Sequence, residues 1–294
     1  MVGSANMDII FTVERIPRPG ETLLAESVAT YPGGKGLNQA VAAARAGAVT
    51  TFIGALGTDG HGDELAATMT DAGIDRSLVR RSTAPTGQAF IVVSDTAENT
   101  IIVASGANAG VTTLTEAERV AITGAAVLLM QLELPVSVVV EAALLARSAG
   151  TTVMLNAAPA ARVPDDLIAT LDYLIVNEHE ACIMGESDDL AEASGKLASQ
   201  VARLIVTLGA DGSVLYEHGR EVARVPARRV TAVDTTGAGD TYCGAFAAAI
   251  AEGRDLEASA AFATAASALS VQVLGAVPSI PSRDRIEAML AEPA

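Results

Sequence analysis

The chain has 294 residues, half of them hydrophobic, enough to bury a large core as one α/β unit or as a unit with a small appendage. Its formal net charge is −16 and no Lys/Arg cluster is dense enough to grip a phosphate backbone, which speaks against nucleic-acid binding. No run approaches the ~18 apolar residues of a membrane span, Met1-Val2-Gly3-Ser4 does not read as a signal peptide, and Cys182 and Cys243 lack metal-ligand spacing, so buried thiols in a cytoplasmic protein are expected.

Along the chain, only Met1 and Val2 stand before Gly3, so the strand leading into Gly3 is expected to be a stub. Residues 9–15 and 21–28 read as short extended pieces around the turn Pro17-Arg18-Pro19-Gly20. Residues 88–94 and 99–104 read as a hairpin turning at 95–98. These four pieces are near-alternating and predict a small sheet apart from the main core. A helix over 37–46 leads to a strand over 51–56 and a helix over 62–72. Strand 126–131, helix 136–149 and strand 152–156 follow. Strand 173–176 precedes helices near 178–184 and 190–200, and strand 204–207 precedes a hairpin, 213–217 with 221–225. Two alanine-rich helices close the pattern, over 238–251 and 256–271. Alternating strand and helix predicts a mostly parallel sheet with right-handed crossovers, and ligands on such sheets sit at the carboxyl ends of the strands.

Four motifs carry chemistry. The strongest is Asp234-Thr235-Thr236-Gly237-Ala238-Gly239-Asp240, just before a long helix. Its glycines let the backbone turn tightly and aim N–H groups outward. The helix start adds free donors and a positive dipole end. Together they suit an anion hole for a transferring phosphoryl group. Asp240 can accept the proton of an attacking hydroxyl, and phosphoryl transfer asks mainly for positioning and charge neutralisation. The second motif is Tyr31-Pro32-Gly33-Gly34-Lys35-Gly36-Leu37-Asn38, where glycines admit a small ligand to the backbone and Lys35 and Asn38 can donate to hydroxyl oxygens. It lacks the spacing of a Walker A loop. The third, Gly3-Ser4-Ala5-Asn6-Met7-Asp8, puts Asn6 and Asp8 on one face, and a carboxylate can bind two vicinal hydroxyls. The fourth, Asn177-Glu178-His179-Glu180, puts an amide and a carboxylate on one side of a helical turn, suited to hydrated Mg²⁺ and phosphate oxygens. Weaker signals are Glu133 and Thr207-Leu208-Gly209, each after a strand. Taken singly, each motif also fits ordinary loop-to-helix or capping chemistry.

In this order the four motifs resemble the ribokinase (PfkB-type) carbohydrate kinase family, over essentially the whole chain. Met130-Gln131-Leu132-Glu133, Asn156-Ala157-Ala158-Pro159-Ala160 and Ser105-Gly106-Ala107-Asn108-Ala109 strengthen the likeness. The resemblance implies a single three-layer α/β/α catalytic domain over 1–294, with a four-stranded β lid built from segments near 9–30 and 86–105. It implies transfer of the ATP γ-phosphoryl group to a sugar hydroxyl, with D-ribose at O5 the expected acceptor. It assigns Asn6, Asp8, Gly34, Lys35, Asn38 and Glu133 to the sugar and Asp240 to the base on its primary hydroxyl. Backbone amides from Gly237, Ala238, Gly239 and Asp240 form the anion hole. Asn177 and Glu180 organise Mg²⁺ and phosphate. Thr207, Gly209 and Gly239 line the nucleotide site, with the adenine near the last two helices, where Thr264 lies. A K⁺ site is implied at Asp234, Thr236, Ser270, Val273, Gly275 and Ser279. In the family the lid often builds a homodimer interface. The family's first strand has more residues before the Gly-Ser than this chain does.

The alternatives are a relative acting on deoxyribose, fructose or a nucleoside, and a non-catalytic sugar sensor. A nucleoside acceptor would want aromatic stacking near the lid, and aromatics make up only 3% of the chain. A sensor need not keep Asp240 and its glycine loop.

Overall fold

The computed structural model describes residues 1–96 and 98–292. In chain order the strands are β1 (Asn6–Val13), β2 (Ser27–Gly33), β3 (Gly54–Gly57), β4 (Val79–Ser82), β5 (Gly87–Ser94) and β6 (Asn99–Ala104). They continue as β7 (Val127–Met130), β8 (Thr152–Asn156), β9 (Tyr173–Asn177), β10 (Arg203–Thr207), β11 (Ser213–Glu217) and β12 (Arg220–Val225). The helices are α1 (Lys35–Arg45), α2 (Gly60–Asp71), α3 (Glu116–Thr123), α4 (Val136–Ala149), α5 (Asp165–Ile168) and α6 (Glu178–Gly185). After them come α7 (Leu190–Ala198), α8 (Ala238–Ala251), α9 (Leu256–Ser270), α10 (Ala276–Ser279) and α11 (Arg283–Ala291).

The main sheet runs β12-β11-β10-β9-β8-β7. Strands β7 to β10 are parallel, and the β11–β12 hairpin adds an antiparallel edge. Successive residues point to opposite faces, so each central strand feeds two cores. Val153 and Leu155 of β8, Leu174 and Val176 of β9, and Leu204 and Val206 of β10 join α4, α6 and α7 on one side. Met154, Ile175 and Ile205 join α8, α9 and α11 on the other. Both faces are covered, hence the unbroken apolar runs in these strands. This is the expected three-layer α/β/α fold.

Beyond β7 the stub takes shape. Val2 bridges in parallel to both Met130 and Ile53, and the Met1 ammonium donates to the Thr51 carbonyl at 2.9 Å. Burial pushes that ammonium down to about 6. Next to it β3 pairs with β4 in parallel. The strand expected over 51–56 is thus shifted to Gly54–Gly57, with Thr51 and Ile53 as single bridges.

The second sheet runs β2-β1-β5-β6, and both faces of β6 are exposed. It differs from expectation in register. The strand expected over 21–28 lies at Ser27–Gly33, because Glu21 is used to close a loop: it accepts from Arg15 at 2.6 Å and from the Arg18 N–H at 2.9 Å. Strand β1 opens at Asn6, so Asn6 and Asp8 lie within it rather than after a preceding strand. The turn expected over 95–98 includes Ala97, outside the described residues. No helix among the described residues is long and apolar enough to cross a membrane.

Candidate active site

The carboxyl ends of β7 to β10 bring Glu133, Asn156, Asn177 and Thr207 to one edge of the sheet, and α1 and α8 point their N-termini at the same place. Helix α8 starts there because Gly237 takes φ 73, a left-handed conformation open to glycine, and a Cβ at this position would meet the Ala276 Cβ at 2.8 Å. A Cβ at Gly239 would meet nothing within 4 Å, so that position faces open space. The Gly237, Gly239 and Asp240 N–H groups have no protein acceptor among the described residues, Gly239 and Asp240 being the two within the helix start; the Ala238 N–H, expected in the anion hole, instead donates to the Thr235 carbonyl at 3.2 Å, closing the turn.

Asp240, 8% exposed, accepts from the Asn38 amide at 3.0 Å on Oδ2 and from the Gln39 amide at 2.9 Å on Oδ1. Glu133 Oε2 accepts from Ser4 at 2.5 Å, from the Lys35 N–H at 3.1 Å and from the Asn6 amide at 3.4 Å. Asn108 accepts from the Ala5 N–H at 3.2 Å and donates to Asn6 Oδ1 at 2.8 Å, fixing the start of β1. The glycines are demanded by close approach. A Cβ at Gly34, φ 89, would sit 2.6 Å from the Asn6 nitrogen, and one at Gly33 would run into the Asp8 carboxylate. Asn6, Asp8, Gly34, Lys35, Asn38, Glu133 and Asp240 are therefore brought together.

Charge in this cluster is one-sided. Burial, then the nearby Glu133 and Asp240 carboxylates, pushes Asp8 up to about 7 despite Lys35. Asp240 beside it holds the Lys35 ammonium above its ordinary value against burial, with help from Glu133 and Glu180. Glu180 is raised by burial, opposed by the Asn177 N–H it accepts at 2.8 Å; the Asn177 side chain accepts the Glu180 N–H in return. His179 is exposed on the surface. Burial drives the Cys243 thiol well above its usual range, while Cys182 is half-buried.

Two cavities meet here. One of about 200 Å³ is lined by Lys35, Asn156, Asn177, Glu180, Asp240 and Cys243 among others. The second, about 430 Å³, runs between the β10 end and α8–α9 with largely apolar walls, including Val230, Tyr242, Ala268 and Val271. Thr207 and Gly239 line both. Gly209 and Thr264 line the second, and the buried Thr264 hydroxyl has no partner. Arg228 and Arg229 also line it; nothing in their local sequence marks them. A larger cavity, about 560 Å³, lies between α2 and β4 and includes none of these residues.

Asp234 bridges two loops: Oδ1 accepts from the Thr236 N–H at 2.9 Å and Oδ2 from the Gly275 N–H at 2.8 Å. The Ser270 and Ser279 hydroxyls donate to carbonyls of their own segments, Ser267 and Ala276, which leaves their oxygen lone pairs and the chain carbonyls as possible ligands, and the Ser270 carbonyl already accepts from the Val273 N–H. No cluster of three or more His, Cys, Asp or Glu side chains suited to a metal occurs among the described residues.

Residues 1–283 match the pfkB family of carbohydrate kinases. The chain belongs to that family. It is 38% identical over 298 residues to the ribokinase of Bacillus subtilis (strain 168), covering 99% of this chain and 98% of the relative. The solved structure of Arabidopsis thaliana ribokinase complexed with ribose and ATP is similar at a TM-score of 0.93, with 34% identity and coverage of 99% and 98%. The ribokinase structure from Thermotoga maritima is similar at 0.91, with 36% identity and coverage of 99% and 98%. Both pfkB signatures of the chain, around Lys35 and around Asp240, lie within the matched span.

Proposed function

We propose that this chain transfers the γ-phosphoryl group of ATP to O5 of D-ribose, giving D-ribose 5-phosphate and ADP. The observation that carries the reading is Asp240, a buried carboxylate at the start of α8 beside two free N–H donors, where a small polar cavity meets a larger, apolar one. Acid–base chemistry needs the base within reach of the hydroxyl it deprotonates, and the anion donors beside the reacting phosphoryl group. The small cavity and the cluster of Asn6, Asp8, Lys35, Asn38 and Glu133 suit a compact polyol. The apolar cavity suits a purine, with the unpaired Thr264 hydroxyl available to a ring nitrogen or exocyclic amine.

Mg²⁺ would be held through Glu180 and Asn177 and would supply charge neutralisation to the polyphosphate. The raised Glu180 carboxyl fits a group awaiting a cation. K⁺ would be held by backbone carbonyls near Asp234, Thr236, Ser270, Val273, Gly275 and Ser279. What supports this is the Asp234 carboxylate, which ties the 236 and 275 segments together next to the anion hole. The β2-β1-β5-β6 sheet would act as the lid over the sugar within a single catalytic unit. Its exposed apolar residues Val28, Ile101, Ile102 and Val103 support a homodimer interface.

The test is a sugar panel with MgATP. Ribose is expected to give the highest kcat/KM, because a site that hydrogen-bonds hydroxyls leaves buried partners unpaired when one is missing. Faster turnover of fructose, 2-deoxyribose or adenosine would overturn the acceptor while leaving the kinase reading intact.

A further inference from the structure

Asp240 is held from behind by a chain of buried amides. Gln39, on α1, is fully buried, and Gln131, just past β7, is 1% exposed. The Gln131 amide donates to Gln39 Oε1 at 2.6 Å. The Gln39 amide donates to Asp240 Oδ1 at 2.9 Å and to Asn156 Oδ1 at 2.9 Å. Asn156 in turn donates to the Ile175 carbonyl at 3.1 Å. Gln39 thus uses both N–H bonds and its oxygen, and only one amide orientation does so: reversed, its oxygen would face a carboxylate and Asn156 Oδ1. Helices α1 and α8 are close enough for this because residue 244 is glycine, where a Cβ would meet the Ala42 Cβ at 2.6 Å.

We propose that Gln39, backed by Gln131, is a positioning residue for the base: it fixes Oδ1 of Asp240 and so leaves Oδ2, shared with Asn38, to face the acceptor hydroxyl. This rests on reading Asp240 as the base. Neither glutamine lines the sugar cavity. Their effect is on the carboxylate: a donated N–H favours its ionised form and holds its rotamer. The groups that also face Asp240 are Lys35 from α1, Asp8 from β1, Glu180 from α6 and Cys243 from α8 itself, with Glu133 past β7 acting on Asp8 and Lys35. None of them changes in the variants below.

The experiment compares Gln39→Glu, Gln131→Leu and Asp240→Asn with the parent enzyme, reading kcat, ribose KM, the pH profile of kcat/KM and melting temperature. Gln39→Glu replaces a double donor with an acid that repels Asp240 when ionised. Its kcat should fall roughly 10²-fold, the scale of a misplaced catalytic group, with ribose KM changed little. The acid limb of its profile should move to higher pH. Gln131→Leu frees the Gln39 amide to turn, so the same limb should move the same way by less. A lowered melting temperature with an unmoved acid limb and unchanged kcat per folded enzyme in both variants would overturn the proposal. If Gln39→Glu does not fold, the Gln131→Leu profile decides alone. Should Asp240→Asn keep normal turnover, it is the base assignment that falls; if it is inactive while both glutamine variants behave as the parent, only the positioning role falls.

Discussion

Asp240→Asn separates basicity from shape. The carboxylate accepts two amide donors, so an amide in its place faces a choice: its own NH₂ must oppose one of them. Oδ1 bonded to Gln39 can become the new carbonyl oxygen without change. On the other side, Asn38 can absorb the conflict, because its own Oδ1 has no partner and a half-turn of its amide presents that oxygen to the new NH₂. A buried donor left unpaired would cost about 1–3 kcal/mol; the half-turn removes most of that cost. Losing one of four clustered carboxyls also relieves repulsion with Asp8, which Asp240 raises. The stability change should therefore stay under about 1 kcal/mol, a melting shift of a few degrees for a chain of this size. The activity change should be far larger, roughly 10²–10⁴-fold in kcat, the scale of a lost acid–base group. ADP release measured under saturating ribose and MgATP, beside ribose binding by calorimetry, reads both. Turnover within tenfold of the parent would refute the base role. A collapse in stability would refute the Asn38 rearrangement.

Gly244→Ala should destabilise the fold by about 1–3 kcal/mol in denaturant unfolding, because its Cβ would run into the Gln39 carbonyl and the Ala42 Cβ across the α1–α8 contact. Asp234→Ala frees the Gly275 and Thr236 N–H groups it holds; kcat should fall and its rise on adding KCl should vanish, as read by chromatographic ADP assay at constant ionic strength. A parent enzyme indifferent to K⁺ would sink the cation site. Without ligand, Asp8 should contribute a loss of stability as pH rises from 3.8 towards about 7, read as the difference between parent and Asp8→Asn melting curves across the window; a difference that does not change with pH would refute it.

Much of the site was legible because its residues sit on loops at strand ends, where residue type and glycine spacing encode the chemistry. The motifs at 33–38, 177–180 and 234–240 needed only local geometry to be read. What escaped depends on partners far along the chain. Gln39 looks like any residue of an amphipathic helix until Gln131 and Asp240 close around it. Strand β4 was missed because Val79-Arg80-Arg81-Ser82 has no apolar run; Arg80 is there to pair with Glu118 on α3 at 2.5 Å, and Arg81 with Asp63 on α2. Strand β2 was misplaced because the alternation before it belongs to a loop closed by Glu21, a tertiary use of a charged residue that periodicity does not reveal.

The remaining step concerns charge. A polyphosphate site ordinarily collects cations, yet here Asp8, Glu133, Glu180 and Asp240 gather around the Lys35 ammonium, in a chain of net charge −16. Burial makes each uncompensated carboxylate costly, and together with Glu133 and Asp240 it pushes Asp8 up to about 7. At Asp8 the folded state then binds more protons than the unfolded chain between 3.8 and about 7, so the contribution of this residue to stability falls as pH rises through that range. Sugar hydroxyls reverse the balance, since each donor they offer favours an ionised carboxylate. On the proposed reading, neutralisation of the phosphates would be shared between a Mg²⁺ held near Glu180 and Asn177 and the Gly239 and Asp240 N–H groups at the start of α8, whose dipole persists whatever the carboxylates do. On that reading, side-chain acids would hold the hydroxyls and main-chain dipoles the phosphate, and Asp240, with a foot in each set, would sit where the proton has to move.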